Sequence, residues 1–251
     1  MSGPIDYQKV SAEVFEMLNK ARKEPGWVAD ELSKIKKYYK DKEYRNPNLG
    51  FHLLTDEGVA AVDDAIHYLR NEVYPQKELA FSQPLSDAAR KLVEHIGAQG
   101  LTSHSDPAYS MELRVKAAVA ETGALAENVS FGWADPREVV FQLIIDDGVK
   151  TRGHRRNIYD GTFDKVGVSA GPHKGYQHCC VIDFHGKAKE SEVSFDKYQI
   201  ESEEWPADAT SLQKHLEVKT ENNVKTIKLT YVFTLTNGSQ VTKVKEITEP
   251  L

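Results

Sequence analysis

Through the first hundred positions, apolar residues recur every three or four places, the spacing of helices that bury one face. Val10, Val14 and Leu18 form one stripe, and Val28, Leu32, Ile35 and Tyr39 form a second after the break at Pro25-Gly26. The polar, turn-rich KKYYKDKEYRNPNLG that follows predicts a surface excursion between helices. Val59, Val62, Ile66, Leu69 and Val73 predict a third helix. In LSDAARKLVEHIGAQG, Ser86 suits an N-cap, Ala89, Leu92, Val93 and Ile96 an inner face, and Gly97 or Gly100 an end. A further helix opens at Asp135-Pro136-Arg137-Glu138, with Asp135 as cap, Pro136 in the first turn and Glu138 reaching back as a capping-box partner. From Val139 to Ile145 only Gln142 is polar, so this helix belongs in a core.

Beyond Val166 the period changes from helical to alternating. KVGVSAG and YQHCCVIDFHG read as two strands joined through Gly171-Pro172 and Lys174-Gly175. The segment after Gly186 is charged and weakly patterned, a linker. In the tail, Leu229, Tyr231, Phe233 and Leu235 alternate with mostly polar neighbours, and Asn237-Gly238 supplies a hairpin turn. A lone hairpin is marginal in water, so this one must pack on the main domain or on a partner. The chain therefore divides into residues 1–190, a domain with N-terminal helices, and 191–251, a charged linker and C-terminal β-hairpin.

Composition narrows the function. With 251 residues, 40% of them hydrophobic, there is material for a sizeable core. The net charge of −6 argues against broad attraction to nucleic acid or to an anionic membrane. No stretch approaches the roughly 20 apolar residues of a membrane helix, and the N-terminus carries no pattern of a secretory signal. The two cysteines, Cys179 and Cys180, are adjacent in a strand and point to opposite faces, so they do not suit a disulfide with each other. These features predict a reducing, cytoplasmic setting.

Most of the nine histidines have structural readings. His67 and His95 sit inside amphipathic helices, beside hydrophobic positions. His178 and His185 are an odd number of positions apart and face opposite sides of a strand. Three stretches remain: LTSHSDP around His104, ALAENVSFG around Glu127, and IIDDGVKTRGHRRNIYD with Asp146 and His154. A carboxylate ending a helix meets carbonyls that are already partly negative, so Asp146 requires a donor or cationic partner unless it only forms a turn. The arginines at 152, 155 and 156 lack the glycine-rich run of a phosphate loop and suit pairing with local acids.

Taken in order, His104-Ser105, Glu127-Asn128 and Gly153-His154, followed by a glycine-punctuated strand pair, resemble the CAP superfamily, or SCP domain, of cysteine-rich secretory, antigen 5 and pathogenesis-related proteins. GHRRNIYDGTFDKVGVSAG is closest to the bacterial and protist branch. The resemblance spans about residues 8 to 187. It implies an α+β fold, a three-layer α-β-α sandwich, here with an N-terminal helical extension and the C-terminal hairpin. It also implies a cleft holding two histidines, His104 and His154, and two acids, Glu127 and Asp146. The second acid ends a Trp-x-x-Glu pattern in the family, where this chain has Leu143-Ile-Ile-Asp146. The secreted members' cysteine pattern is absent.

Members of the family bind divalent metals, sterols and other lipids. The resemblance thus implies a binding module in which His104 and His154 hold a divalent metal such as Zn²⁺, with Glu127 and Asp146 behind them, or in which the cleft takes a lipid-like ligand. Two alternatives stand beside it. One is a structural subunit of a larger intracellular assembly, cytoskeletal or ciliary, docking protein partners through the hairpin. The other is a metal-assisted hydrolase, since no nucleophile signature is present.

Overall fold

The computed structural model describes residues 4–47, 52–102, 106–119, 123–186, 206–221 and 224–250. The chain forms two compact units, Met1–Ala188 and Lys189–Leu251.

The first unit begins with helices α1 (Tyr7–Lys23) and α2 (Pro25–Ile35). Asp6 caps α1 by accepting from the Gln8 and Lys9 N–H groups, and Pro25 opens α2 where its missing N–H costs nothing. Two strands of the turn-rich excursion, β1 (Tyr39–Lys40) and β2 (Glu43–Tyr44), join β3 (Leu53–Leu54) just beyond it in one small antiparallel sheet. Helix α3 (Val59–Asn71), strand β4 (Ala80–Phe81), and helices α4 (Gln83–Gln99) and α5 (Met111–Ala118) follow. Then come strand β5 (Ala124–Phe131), helices α6 (Pro136–Ile145) and α7 (Gly153–Tyr159), and strands β6 (Phe163–His173) and β7 (Gln177–Gly186).

The four-stranded sheet runs β4-β6-β7-β5, with β4 parallel to β6 and the other neighbours antiparallel. Alternation along β7 divides the core. Cys179 and Val181 face Leu92, Val93 and Ile96 of α4, whereas Cys180, Ile182 and Phe184 face the core shared with α1 and α6. Helices thus cover both faces, which is the three-layer α-β-α sandwich. The two thiols lie on opposite faces of the sheet.

Two local details differ from the sequence expectations, the N-cap of α4 and the turn before β7. The N-cap of α4 is Ser82; Ser86 lies one turn inside, buried, with its hydroxyl donating to the Val168 carbonyl and accepting the Val168 N–H. The helix ends at Gly100, one of the two expected ends, in the left-handed conformation. Gly171-Pro172 lies within β6, leaving the turn to residues 174–176. Close approach explains Gly167, where an added Cβ would sit 2.1 Å from the backbone at Leu85 and Ser86. The buried Arg22 guanidinium donates to the carbonyls of Lys77, Ile158 and Asp160, tying α1 to the end of α7.

The second unit contains strands β8 (Ala209–Glu221), β9 (Val224–Leu235) and β10 (Gln240–Pro250), ordered β10-β9-β8. The expected hairpin is β9–β10, with Gly238 at φ 80° in its turn, and β8 adds a third strand along β9. Ile227, Leu229, Tyr231 and Phe233 form its buried apolar stripe, with Leu235 half-buried beside them. Most of the segment read as a linker, residues 187–205, lies outside the described residues.

Candidate functional site

The site is built where α6 hands over to α7. Asp135 caps α6, its carboxylate accepting the Arg137 and Glu138 N–H groups at 2.9 and 3.1 Å. Val139, Val140, Phe141, Leu143, Ile144 and Ile145 are buried, while Gln142 remains exposed. The helix ends as Asp146 turns left-handed at φ 56°.

That turn settles how a carboxylate is tolerated there. Asp146 points away from the carbonyls of α6 and toward the first turn of α7, where N–H groups lack helical partners. One oxygen accepts the His154 N–H at 2.9 Å and the Arg155 N–H at 3.4 Å; the other lies 2.6 Å from His154 Nδ1. Asp146 is 3% exposed, so these bonds are shielded from water. An acceptor at Nδ1 places the imidazole proton there and leaves the Nε2 lone pair for a ligand. The His154 side chain is part-exposed.

The loop behind the pair is fixed by charge. Asp147 accepts the Asp56 and Glu57 N–H groups, and Glu57 accepts from Gly148 N and from Arg152. Arg152 and the Gly148 N–H together hold the Glu57 carboxyl down at about 2. Arg152 and Arg155 also share Asp64. Two of the three arginines in the basic cluster are therefore paired with local acids.

The Glu127-Asn128 pair divides around β5. The buried Asn128 donates to the His154 carbonyl at 3.0 Å and accepts from Asn157 at 2.9 Å, which ties the edge strand to α7. Glu127, on the opposite face by strand alternation, pairs with Arg114 of α5. Arg114 also lies 3.0 Å from Asp183, which stands opposite Glu127 in the β5–β7 register. Burial, and next the Glu127 charge, hold the Asp183 carboxyl well above the usual carboxylate range, against the opposing pull of Arg114. Arg114 and Asp183 have no motif spacing that singles them out in the sequence; the fold alone brings them to Glu127. His104 lies outside the described residues, so of the four expected residues the structure joins Asp146 with His154 and turns the Glu127 carboxylate to Arg114.

A cavity of about 300 Å³ opens between this turn and the small β1–β3 sheet. Tyr39, Tyr44, Leu53, Trp133 and Leu143 contribute its apolar walls, and Gln142, Asp146 and His154 a polar end. Val129 of β5 also lines it. For a metal, His154 can offer Nε2, while Asp146 is already occupied behind it as the orienting carboxylate. Among the described residues no group of three or more His, Cys, Asp or Glu side chains is placed to hold an ion. The described residues thus fit one ligand and its supporting acid.

Comparison with solved structures finds an outer surface protein of Borrelia burgdorferi, with 15% identity and a TM-score of 0.39 over 52% of this chain and 91% of that one. An extracellular protein of Bacillus anthracis containing an SCP domain shows 19% identity and a TM-score of 0.37, over 49% of this chain and 37% of that one. A cysteine-rich secretory protein of Staphylococcus aureus shows 13% identity and a TM-score of 0.37, over 63% and 48% respectively. No curated protein matches the chain. The sequence model of the CAP, or cysteine-rich secretory protein, family matches residues 16–184, more than half of the chain. The chain belongs to the CAP family.

Proposed function

We propose that this CAP domain is a binding module that takes a small, lipid-like amphipathic ligand in the cavity beside His154. The observation that carries this reading is one cavity with aromatic and aliphatic walls at whose polar end a buried carboxylate fixes an imidazole. At about 300 Å³ the cavity is at the small end of ligand sites, room for a single short chain. The apolar walls favour a hydrocarbon body, and His154 Nε2 accepts a hydrogen bond from a polar head. We place the protein in the cytoplasm, a setting supported by two buried thiols set on opposite sheet faces.

Calorimetric titration with octanol tests the reading on the full chain. Gln142 is exposed and lines the cavity, so Gln142→Trp fills the cleft from a position outside the core. Wild type binding octanol, with Gln142→Trp folded and blind to it, is the expected pair of results. Equal binding by both would place the site elsewhere, and no binding by wild type would overturn the reading.

The Asp146–His154 pair supports a second reading, a divalent metal such as Zn²⁺ held by His154 with the family's other histidine, His104. A carboxylate behind the ligand nitrogen is the arrangement that fixes a metal-binding imidazole, and the ion would supply Lewis acidity or a polar anchor for a head group. Zn²⁺ titration of wild type, His154→Ala and His104→Ala checks it; indifference of both variants would remove the metal.

A further inference from the structure

Glu138 lines the same cavity and takes no part in the Asp146–His154 pair. The sequence casts it as a capping-box residue, yet its carboxylate has no hydrogen-bond or ion-pair partner among the described residues. Its neighbour Arg137 is engaged elsewhere, 2.7 Å from Glu31 and stacked over the Phe141 ring at 4.9 Å. The other two carboxylates in the cavity wall are satisfied, Asp146 by His154 and the α7 N–H groups, Asp147 by the Asp56 and Glu57 N–H groups. No lysine or arginine lines the cavity among the described residues. A half-buried carboxylate therefore lines the cleft with no hydrogen-bond or ion-pair partner among the described residues; burial, and next the Asp135 charge, push its pKa up against the pull of Arg137.

Around it stand Tyr39, Tyr44 and Trp133, with the two tyrosine rings 4.8 Å apart between centroids. Burial is the main cause that raises the pKa of both phenols, and the charge of Glu138 adds a smaller push in the same direction. Aromatic faces repel an anion and attract a cation. Carboxylate and rings thus select the same sign of charge. A small metal ion would need several oxygen ligands in place of its water, and one carboxylate among aromatic rings does not provide them. An alkylammonium keeps its positive charge on an apolar surface, which rings can contact directly.

We propose that the ligand of this cleft carries an organic cation, an alkylammonium or quaternary ammonium head, seated against Glu138 among Tyr39, Tyr44 and Trp133. The inference rests on the binding reading above and adds the chemical class of the ligand. The chain of such a molecule lies along Leu53 and Leu143, with a terminal hydroxyl able to reach His154.

The test compares hydroxyhexyl-trimethylammonium with its neutral carbon isostere, in which a tert-butyl group replaces the trimethylammonium. Both are titrated calorimetrically into the full chain and into Glu138→Gln. The cation should bind wild type on the order of tenfold tighter than the isostere, the scale of a desolvated cation–aromatic contact with a carboxylate added. Glu138→Gln should remove that preference, so that the variant binds the two probes alike. Equal binding of both probes to wild type would overturn the cationic head while leaving the binding reading intact. A preference that survives in Glu138→Gln would also overturn it, by placing the cation elsewhere. Failure of both probes, together with failure of octanol, would remove the binding reading itself.

Discussion

Replacing Asp146 perturbs three things at once, and the variants separate them. Asp146→Ala removes the acceptor for the His154 and Arg155 N–H groups, the partner of His154 Nδ1, and the tolerance of an acidic side chain for left-handed backbone at φ 56°. Losing a helix-capping acceptor costs about 1–2 kcal/mol. Holding alanine in the left-handed region adds about 1 kcal/mol. The sum is about 2–3 kcal/mol, which for a domain of this size lowers Tm by roughly 4–12 °C. Asp146→Gly relieves the backbone term and should recover about 1 kcal/mol of that loss. Asp146→Asn keeps one acceptor oxygen and the backbone tolerance, so it should rank nearest to wild type. Thermal and urea unfolding followed by circular dichroism give the ranking, and ¹⁵N chemical shifts of the His154 ring report its tautomer. An alanine variant within about 0.5 kcal/mol of wild type, the range of an ordinary surface substitution, would refute the assigned geometry. So would an Nδ1–H tautomer that persists without the carboxylate.

Asp183 keeps its proton to higher pH in the folded than in the unfolded protein, so the native state binds more protons. Stability from this group is therefore fully present below the unfolded pKa of about 3.9 and declines as pH rises toward the folded value. Asp183→Asn should remove that decline and raise the urea midpoint near neutrality; a variant with the wild-type pH profile would contradict it. Gly167→Ala forces a methyl into the backbone of α4 and should cost about 1–3 kcal/mol by equilibrium unfolding, whereas a neutral result would mean that α4 does not approach β6 so closely. Cys179 and Cys180 are buried, with the Cys179 thiol pushed up to about 11 by burial, so a thiol reagent should label them only at the rate of unfolding. Rapid labelling of native protein would count against their placement.

The helices were legible because their stripes are long: Val10, Val14 and Leu18 are all buried in α1, and Val139 to Ile145 is buried apart from Gln142. Boundaries were less so. Ser82 and Ser86 both suit a cap, and only the position of β6 decides that Ser86 goes inside to bond Val168. The β1–β3 sheet was hidden in and just after the polar run at 36–50 because two-residue strands are too short to show alternation. Strand β8 carries an alternation of its own at Leu212, Leu216 and Val218, obscured by the charges between them. At the site, Asp146 could be singled out by its unfavourable place at a helix end, and its partner His154 by motif. The roles of Arg114, Asp183 and Glu138 were not legible. The first two meet through the fold alone, and Glu138 performs no capping because its side chain faces the cleft.

The most direct test of the account is a methyl and imidazole NMR titration of the full chain with octanol. Leu53, Leu143 and Ile145 methyls and the His154 ring line the cavity, whereas Leu92 and Val181 pack on the opposite face of the sheet. Saturable shifts confined to the first group, with Leu92 and Val181 unmoved, are the predicted result. Shifts centred on Leu92 and Val181, or none at saturating octanol, would contradict the cleft as the binding site.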